Sequence, residues 1–320
     1  MDGSDITFTE FIGIGTNGHL WVDGRDVVEL AETFGTPLYV MSENQLRHNY
    51  RRFRDAFASR YPGKVEILFA NKSNNSLAIR HVMNQEGAGG DCFGVNEMYL
   101  ALLAGTDSRT LVLNGSNKER AEIEMAVLNG VTINIDAMDE VDVIAATCDR
   151  LDRDVDVGVR VKLELPELAN RFGTSLHGPG SMAEIVSWEK WGMTYPQTAA
   201  ITHRIRQSCP RLHLTEINFH LARLDKKAED FAVMASDMVE WCARLRRDTG
   251  WSPQWIDLGG GWTFGRREKT GVRGVDDETT PTPEQYAEAV CAAVIDECRK
   301  HKLDSPGMRI EPGQIGRAHV

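Results

Sequence analysis

The sequence predicts an α/β fold, a (β/α)8 barrel preceded by a short N-terminal segment. Three observations point there. Eight Val/Ile/Leu-rich runs recur along the chain with helix-like stretches between them. The runs hold few turn residues, as expected of parallel strands covered by helices. Eight such units in about 250 residues match the size of a barrel better than a doubly wound open sheet, the structural alternative.

In order, "HLWVDGRDVVELAETFG" near the start reads as a short strand, a turn and a helix, in a segment 1–36 ahead of the barrel. An amphipathic helix follows at about 44–59. The barrel, 37–313, then runs through "VEILFANK", "GAGGDCF", "TLVLNG", "TINIDA", "VDVGVRVK", "LTEINFHL", "WIDLGGG" and "MRIEPG". Helical patterns occupy about 76–85, 95–103, 118–129, 139–148, 197–208, 228–248 and 283–300. Residues 163–196 form a Gly/Pro-containing insertion after the fifth strand, either a lid at the C-terminal face or a plain surface loop.

Composition narrows the function classes. The chain has 320 residues, 42% hydrophobic, with a net charge of −11. No basic stripe stands out to hold nucleic acid. No apolar run approaches the roughly 18 residues of a membrane span. The acidic, polar start does not resemble a secretory signal. The six cysteines form no CxxC pair or zinc spacing, so they are expected to be reduced core residues of a cytoplasmic protein.

The strand ends carry the chemistry. In a barrel they share one mouth. They bring Lys72, Asp91, Arg160, His220, the run Gly259, Gly260 and Gly261, and then Glu311, Pro312 and Gly313. Taken singly, each has an ordinary reading: a solvated lysine, a structural histidine, an ion pair, a turn. Together, a lysine whose pKa desolvation can lower so that it acts as an amine nucleophile, glycines that admit an anion close to the backbone and a carboxylate suggest pyridoxal 5'-phosphate.

The motifs resemble those of fold-type III pyridoxal phosphate decarboxylases, the diaminopimelate, ornithine and arginine decarboxylase group. "FANKSN" is similar to Y-A-x-K-A/C-N, and "GAGGDCFGVNEMYLALLAG" to G-x-G-x-D-x-x-S-x-x-E-L. "INFHLAR" stands where the family has H-x-G-S. "IDLGGGW" and "EPG" match L-D-x-G-G-G and E-P-G-R. "GTPLYVMSENQLRHNYRRFRDAF" and "EKWGM" look most like diaminopimelate decarboxylases. The resemblance spans about 19–313.

It implies that Lys72 carries the cofactor, that His220 stacks on its ring and that Glu311 pairs with the ring nitrogen. Gly259 to Gly261 and Gly313 would hold the phosphate. Asp91, Glu97, Arg160, Pro312 and Gln314 fall at neighbouring positions. The implied reaction is decarboxylation of a basic or diamino acid, foremost meso-diaminopimelate to lysine, in a homodimer. Ornithine, arginine, lysine or a carboxy-polyamine are alternative substrates, and a non-catalytic relative is a third reading.

Two departures stand out. Arg223 replaces the serine of H-x-G-S, where it either pairs with phosphate or points away. The family continues past E-P-G-R into a β-domain with a catalytic cysteine and tyrosine, which implies that 1–36 is the N-terminal remnant of that second β-domain, whereas this sequence reads "EPGQIGRAHV". "IGRAHV" matches one reading frame of a common sequencing adapter, so 314–320 are expected to be a non-native tail. The chain is then expected to leave Leu20, Trp21 and Val22 exposed and to decarboxylate poorly.

Overall fold

The structure is a computed structural model that describes residues 6–165, 174–175, 178–179, 191–220, 227–262 and 281–316. The first unit is an antiparallel meander of β1 (Ile6–Thr9), β2 (Ile12–Ile14), β3 (Leu20–Val22) and β4 (Arg25–Asp26), followed by α1 (Val27–Phe34). Asp23 and Gly24 take positive φ, 50° and 72°, the backbone that a two-residue hairpin loop requires. Asp26 caps α1 by accepting from the Val28 N–H at 2.8 Å. Val22 is only 3% exposed, and Leu20 and Trp21 are half-buried. The expected exposure of this strand is therefore not seen. Sequential hairpins pair its backbone and cover its inner face.

After α2 (Glu43–Ala58) the barrel begins. Its strands are β5 (Val65–Ala70), β6 (Gly89–Cys92), β7 (Leu111–Leu113), β8 (Thr132–Ile135) and β9 (Val155–Arg160). A small antiparallel pair follows, β10 (Thr174–Ser175) and β11 (Gly178–Pro179). The barrel resumes with β12 (Leu212–Asn218), β13 (Trp255–Asp257) and β14 (Gly307–Ile310). The eight barrel strands pair parallel in chain order, and β14 meets β5 to close the ring. The intervening helices are α3 (Leu77–Gln85), α4 (Val95–Leu103), α5 (Arg120–Asn129), α6 (Glu140–Leu151), α7 (Tyr195–Ser208), α8 (Ala228–Thr249) and α9 (Pro283–His301). Most of the insertion 163–196 lies outside the described residues.

The strands are buried on both faces. Leu68, Leu111, Leu113, Ile133, Val157, Ile217, Ile256 and Met308 are all completely covered. A separate aromatic layer packs α2, α8 and α9 together. Trp262 is fully buried, its ring 4.2 Å from Phe231 and 5.4 Å from Tyr286. Its Nε1–H donates to the Gly259 carbonyl at 2.7 Å, which fastens the glycine turn to the apolar layer.

Candidate active site

The C-terminal ends of the barrel strands form a continuous polar chain. Lys72 lies one residue into a short 3-10 turn, Asn71–Ser73, that follows β5. Its Nζ donates to Asp91 Oδ2 at 3.1 Å and lies 3.9 Å from the centre of the Phe93 ring. Asn114, after β7, donates from Nδ2 to Asp91 Oδ1 at 2.8 Å and to Glu311 Oε1 at 2.6 Å. Asn134 in turn donates to Asn114 Oδ1 at 2.9 Å. Lys72 and Glu311, on strands that adjoin across the barrel's closure, are thus joined through two side chains.

On the other side of Glu311 stands His220. Its Nδ1 accepts the Gly260 N–H at 2.9 Å. Glu311 Oε2 lies 3.1 Å from the same nitrogen. Burial, with the positive charges of Lys72 and Arg160, pushes the imidazole down to about 3, so the ring is neutral at physiological pH. Burial chiefly, and then the Asp91 charge, pushes the Glu311 carboxyl up to about 8. Asp257 at the end of β13 is also raised, by burial and by the carboxyls of Glu311 and Glu216. Four acidic side chains, Asp91, Glu216, Asp257 and Glu311, are therefore buried in the barrel interior.

Lys72 differs from the sequence-based expectation of a lowered pKa. Burial pulls its ammonium down, but Asp91 and Glu311 outweigh that and leave it above the usual lysine value. The amine is held as a cation and must shed a proton before it can attack an aldehyde.

The glycine turn admits little but hydrogen. Gly259 has φ 65° and Gly261 φ 89°. A Cβ on Gly259 would sit 2.7 Å from the Phe219 carbonyl oxygen, and one on Gly260 2.8 Å from both the Glu311 carbonyl oxygen and His220 Cε1. Gly313 is as tight, with Ser73 Cβ 2.9 Å away, and Ser73 Oγ donates to the Gly313 carbonyl at 2.9 Å. The Gly259 N–H is bound to Asp257 Oδ1 at 2.8 Å and the Gly260 N–H to His220. His220 must turn away before the Gly260 N–H can meet an anion.

Arg160 is 6% exposed at the end of β9. It lies 3.5 Å from Asp136 Oδ1, donates to the His220 carbonyl at 3.4 Å and covers the Trp191 ring at 5.5 Å. Gly192 N–H donates to the same Asp136, and Met193 N–H to the Arg160 carbonyl, so the insertion returns directly onto this strand end. Glu97, in the first turn of α4, accepts the Phe93 N–H at 2.8 Å rather than reaching Lys72. Pro312 is buried; Gln314 is half-buried in the turn Gln314–Gly316, where Ile315 is fully buried. Arg223 lies outside the described residues.

Sequence reasoning misses Asn114, Asn134 and Asp136. Each is a polar residue in or just after an apolar run, "TLVLNG" and "TINIDA", a signal indistinguishable from a turn until the strands close.

The donors fit pyridoxal phosphate: an amine, a neutral imidazole, a buried carboxyl and a turn too narrow for a side chain meet at one mouth.

Residues 43–318 match the family model described as pyridoxal-dependent decarboxylase, pyridoxal binding domain. The chain is 27% identical over 306 residues to a diaminopimelate decarboxylase of Methanothermobacter thermautotrophicus, covering 95% of this chain and 65% of that protein. It is also 27% identical over 304 residues to that of Methanocaldococcus jannaschii, covering 93% and 65%. The chain therefore spans about 65% of the length of these relatives. A solved diaminopimelate decarboxylase from M. jannaschii, in complex with L-lysine, superposes with a TM-score of 0.82 at 25% identity, over 97% of this chain and 68% of that one. The chain belongs to the pyridoxal-dependent decarboxylases, and its barrel is their pyridoxal-binding domain.

Proposed function

We propose that the protein binds pyridoxal 5'-phosphate at the barrel mouth and serves decarboxylation of a diamino acid, meso-diaminopimelate to lysine. The observation that carries the reading is the unbroken chain Lys72–Asp91–Asn114–Glu311–His220–Gly260. The printed substrate of the relatives and the L-lysine in the M. jannaschii complex support the substrate class.

When bound, pyridoxal phosphate supplies an electron sink for the pair left behind as the substrate's carboxylate departs as carbon dioxide. The chain's own residues do the rest. Lys72 provides the amine for the aldehyde, and Asp91 Oδ2 is the acceptor positioned to take its proton. Glu311 would pair with the cofactor's ring nitrogen and hold or release a proton at its carboxyl, which Asn114 keeps aimed. His220, uncharged, offers a flat face for stacking. Gly259 to Gly261 and Gly313 would hold the phosphate, their lack of side chains letting an anion approach the backbone once His220 turns aside, and Pro312, Gln314 and Arg223 are the further residues expected to bind the cofactor. Arg160, tied to Asp136, adds a fixed positive charge. The reading extends to a homodimer of the longer family form and to a cytoplasmic setting. The described cysteines support a reducing compartment, being free and buried. None of the helices among the described residues is long and apolar enough to cross a membrane.

The test is incubation with pyridoxal 5'-phosphate. An imine absorbance that borohydride fixes on Lys72, and that Lys72→Ala abolishes, is expected; its absence overturns the cofactor assignment. Adding amino acids then ranks substrates. Meso-diaminopimelate is expected to perturb the absorbance at lower concentration than ornithine, arginine or lysine, and the reverse order moves the substrate assignment to the better ligand.

A further inference from the structure

We propose that Phe93 is a positioning residue that holds the Lys72 side chain as an ammonium ion against Asp91 until an aldehyde arrives. The inference rests on Lys72 being the reacting amine of the proposed function, and it adds a residue to which neither the family match nor the relatives point.

Lys72 Nζ stands 3.9 Å from the Phe93 ring centre and 3.1 Å from Asp91 Oδ2, so the cation is bounded on two sides by a π face and a carboxylate. Phe93 remains 37% exposed, so it is not placed by core packing. Its position is nevertheless specified. Its backbone N–H is tied to Glu97 Oε2 at 2.8 Å. Room for its ring is left by Gly115, φ 99°, where a Cβ would come 3.2 Å from Phe93 Cδ1. A ring face attracts a cation through its quadrupole and does little for a neutral amine. Phe93 therefore favours the charged, unreactive form of Lys72 and fixes where its nitrogen rests.

The other groups facing Lys72 are Asp91 on β6, Glu311 on β14 and Glu97 on α4, which favour the cation, and Arg160 on β9, which opposes it. His220, at the end of β12, is neutral. Phe93 carries no charge and is not in the Asp91–Asn114–Glu311–His220 chain, so it can be changed without altering the net charge of this set.

The experiment measures Lys72 reactivity directly, in the 320-residue chain without cofactor. Acetic anhydride labelling, with the Lys72 peptide quantified by mass spectrometry, is followed across pH. Phe93→Leu keeps an apolar cover and removes the π face. At pH 7 its Lys72 is expected to label about two- to five-fold faster than wild type, the factor expected for a half-exposed cation–π contact. The two rates should converge at high pH, where the amine is neutral in both. Phe93→Trp, with a stronger π face, should label at or below the wild-type rate. Capture of pyridoxal 5'-phosphate, read by imine absorbance, should show the same order and the same convergence.

A Leu variant that labels no faster than wild type at pH 7 overturns the proposal, because the ring then acts by desolvating the amine or not at all. A gain of equal size at every pH also overturns it, since that marks Phe93 as a steric shield. Should Phe93→Leu not fold, the Trp variant decides: faster labelling than wild type refutes the idea. If labelling shifts as expected while no variant forms an imine, the contact between Phe93 and Lys72 stands and the cofactor assignment falls.

Discussion

Replacing Gly259 by alanine separates two reasons for a glycine at that turn. The first is backbone conformation: φ is 65°, a left-handed region that costs an L-residue about 1–2 kcal/mol. The second is crowding. The new Cβ would lie 2.7 Å from the Phe219 carbonyl oxygen, 2.8 Å from His220 Nδ1 and 2.9 Å from His220 Cα. Two of those atoms are backbone and cannot swing aside, so overpacking adds about 1–3 kcal/mol. Gly250 provides the control. It closes α8 with φ 69° and has no atom within 4 Å of its would-be Cβ, so Gly250→Ala carries only the conformational cost. Urea unfolding followed by tryptophan fluorescence should place Gly259→Ala about 2–5 kcal/mol below wild type and Gly250→Ala about 1–2 below. Pyridoxal 5'-phosphate binding should weaken in the first variant alone. Equal losses in the two variants would refute the close-approach argument and leave the turn as a matter of backbone angle.

Glu311 makes stability depend on pH in a definite direction. Its carboxyl titrates near 4.5 in the unfolded chain and near 8 when buried, so the native state holds a proton that the unfolded state has lost. Its contribution is full below about 4.5 and disappears as pH rises towards 8. The stability of wild type relative to Glu311→Gln should therefore fall over that window in cofactor-free chains, from near parity where the carboxyl is protonated to a deficit where it must be buried charged; a relative stability that rises with pH reverses the assignment. Lys118 and Glu140 form a buried ion pair at 3.0 Å, the lysine side chain 1% exposed and the glutamate 9%. Glu140 also accepts the Asp136 N–H at 2.9 Å. Glu140→Ala should cost about 3–5 kcal/mol in chemical unfolding, because it strands a buried cation, and Lys118→Met in the same chain should recover part of that loss.

The barrel is legible in the sequence because each strand is buried on both faces and so reads as an uninterrupted apolar run, bounded by helices of recognisable period. The helices at 95–103, 197–208 and 228–248 begin and end within two residues of where the structure has them. Lys72, His220, Glu311 and the glycines are legible for a related reason: each follows or closes an apolar strand with a residue type that such a strand rarely presents. Asn114 is not, since its partners lie 23, 197 and 20 positions away: pairing of β7 with β6 and β8 brings Asp91 and Asn134 to it, and closure of β14 on β5 brings Glu311. The lysine's charge state is equally hidden, because burial and neighbouring carboxyls act in opposite directions and only distance decides between them.

By itself, then, the amino-acid sequence determines the repeating strand–helix pattern and the ionisable side chains and glycines at the strand ends, since both follow from local periodicity and residue chemistry. Only the tertiary structure decides that Asn114 spans Asp91 and Glu311, that His220 occupies a glycine N–H and that Phe93 lies over the lysine cation. Those relations are distances across a closed barrel, and no local pattern along the chain encodes them.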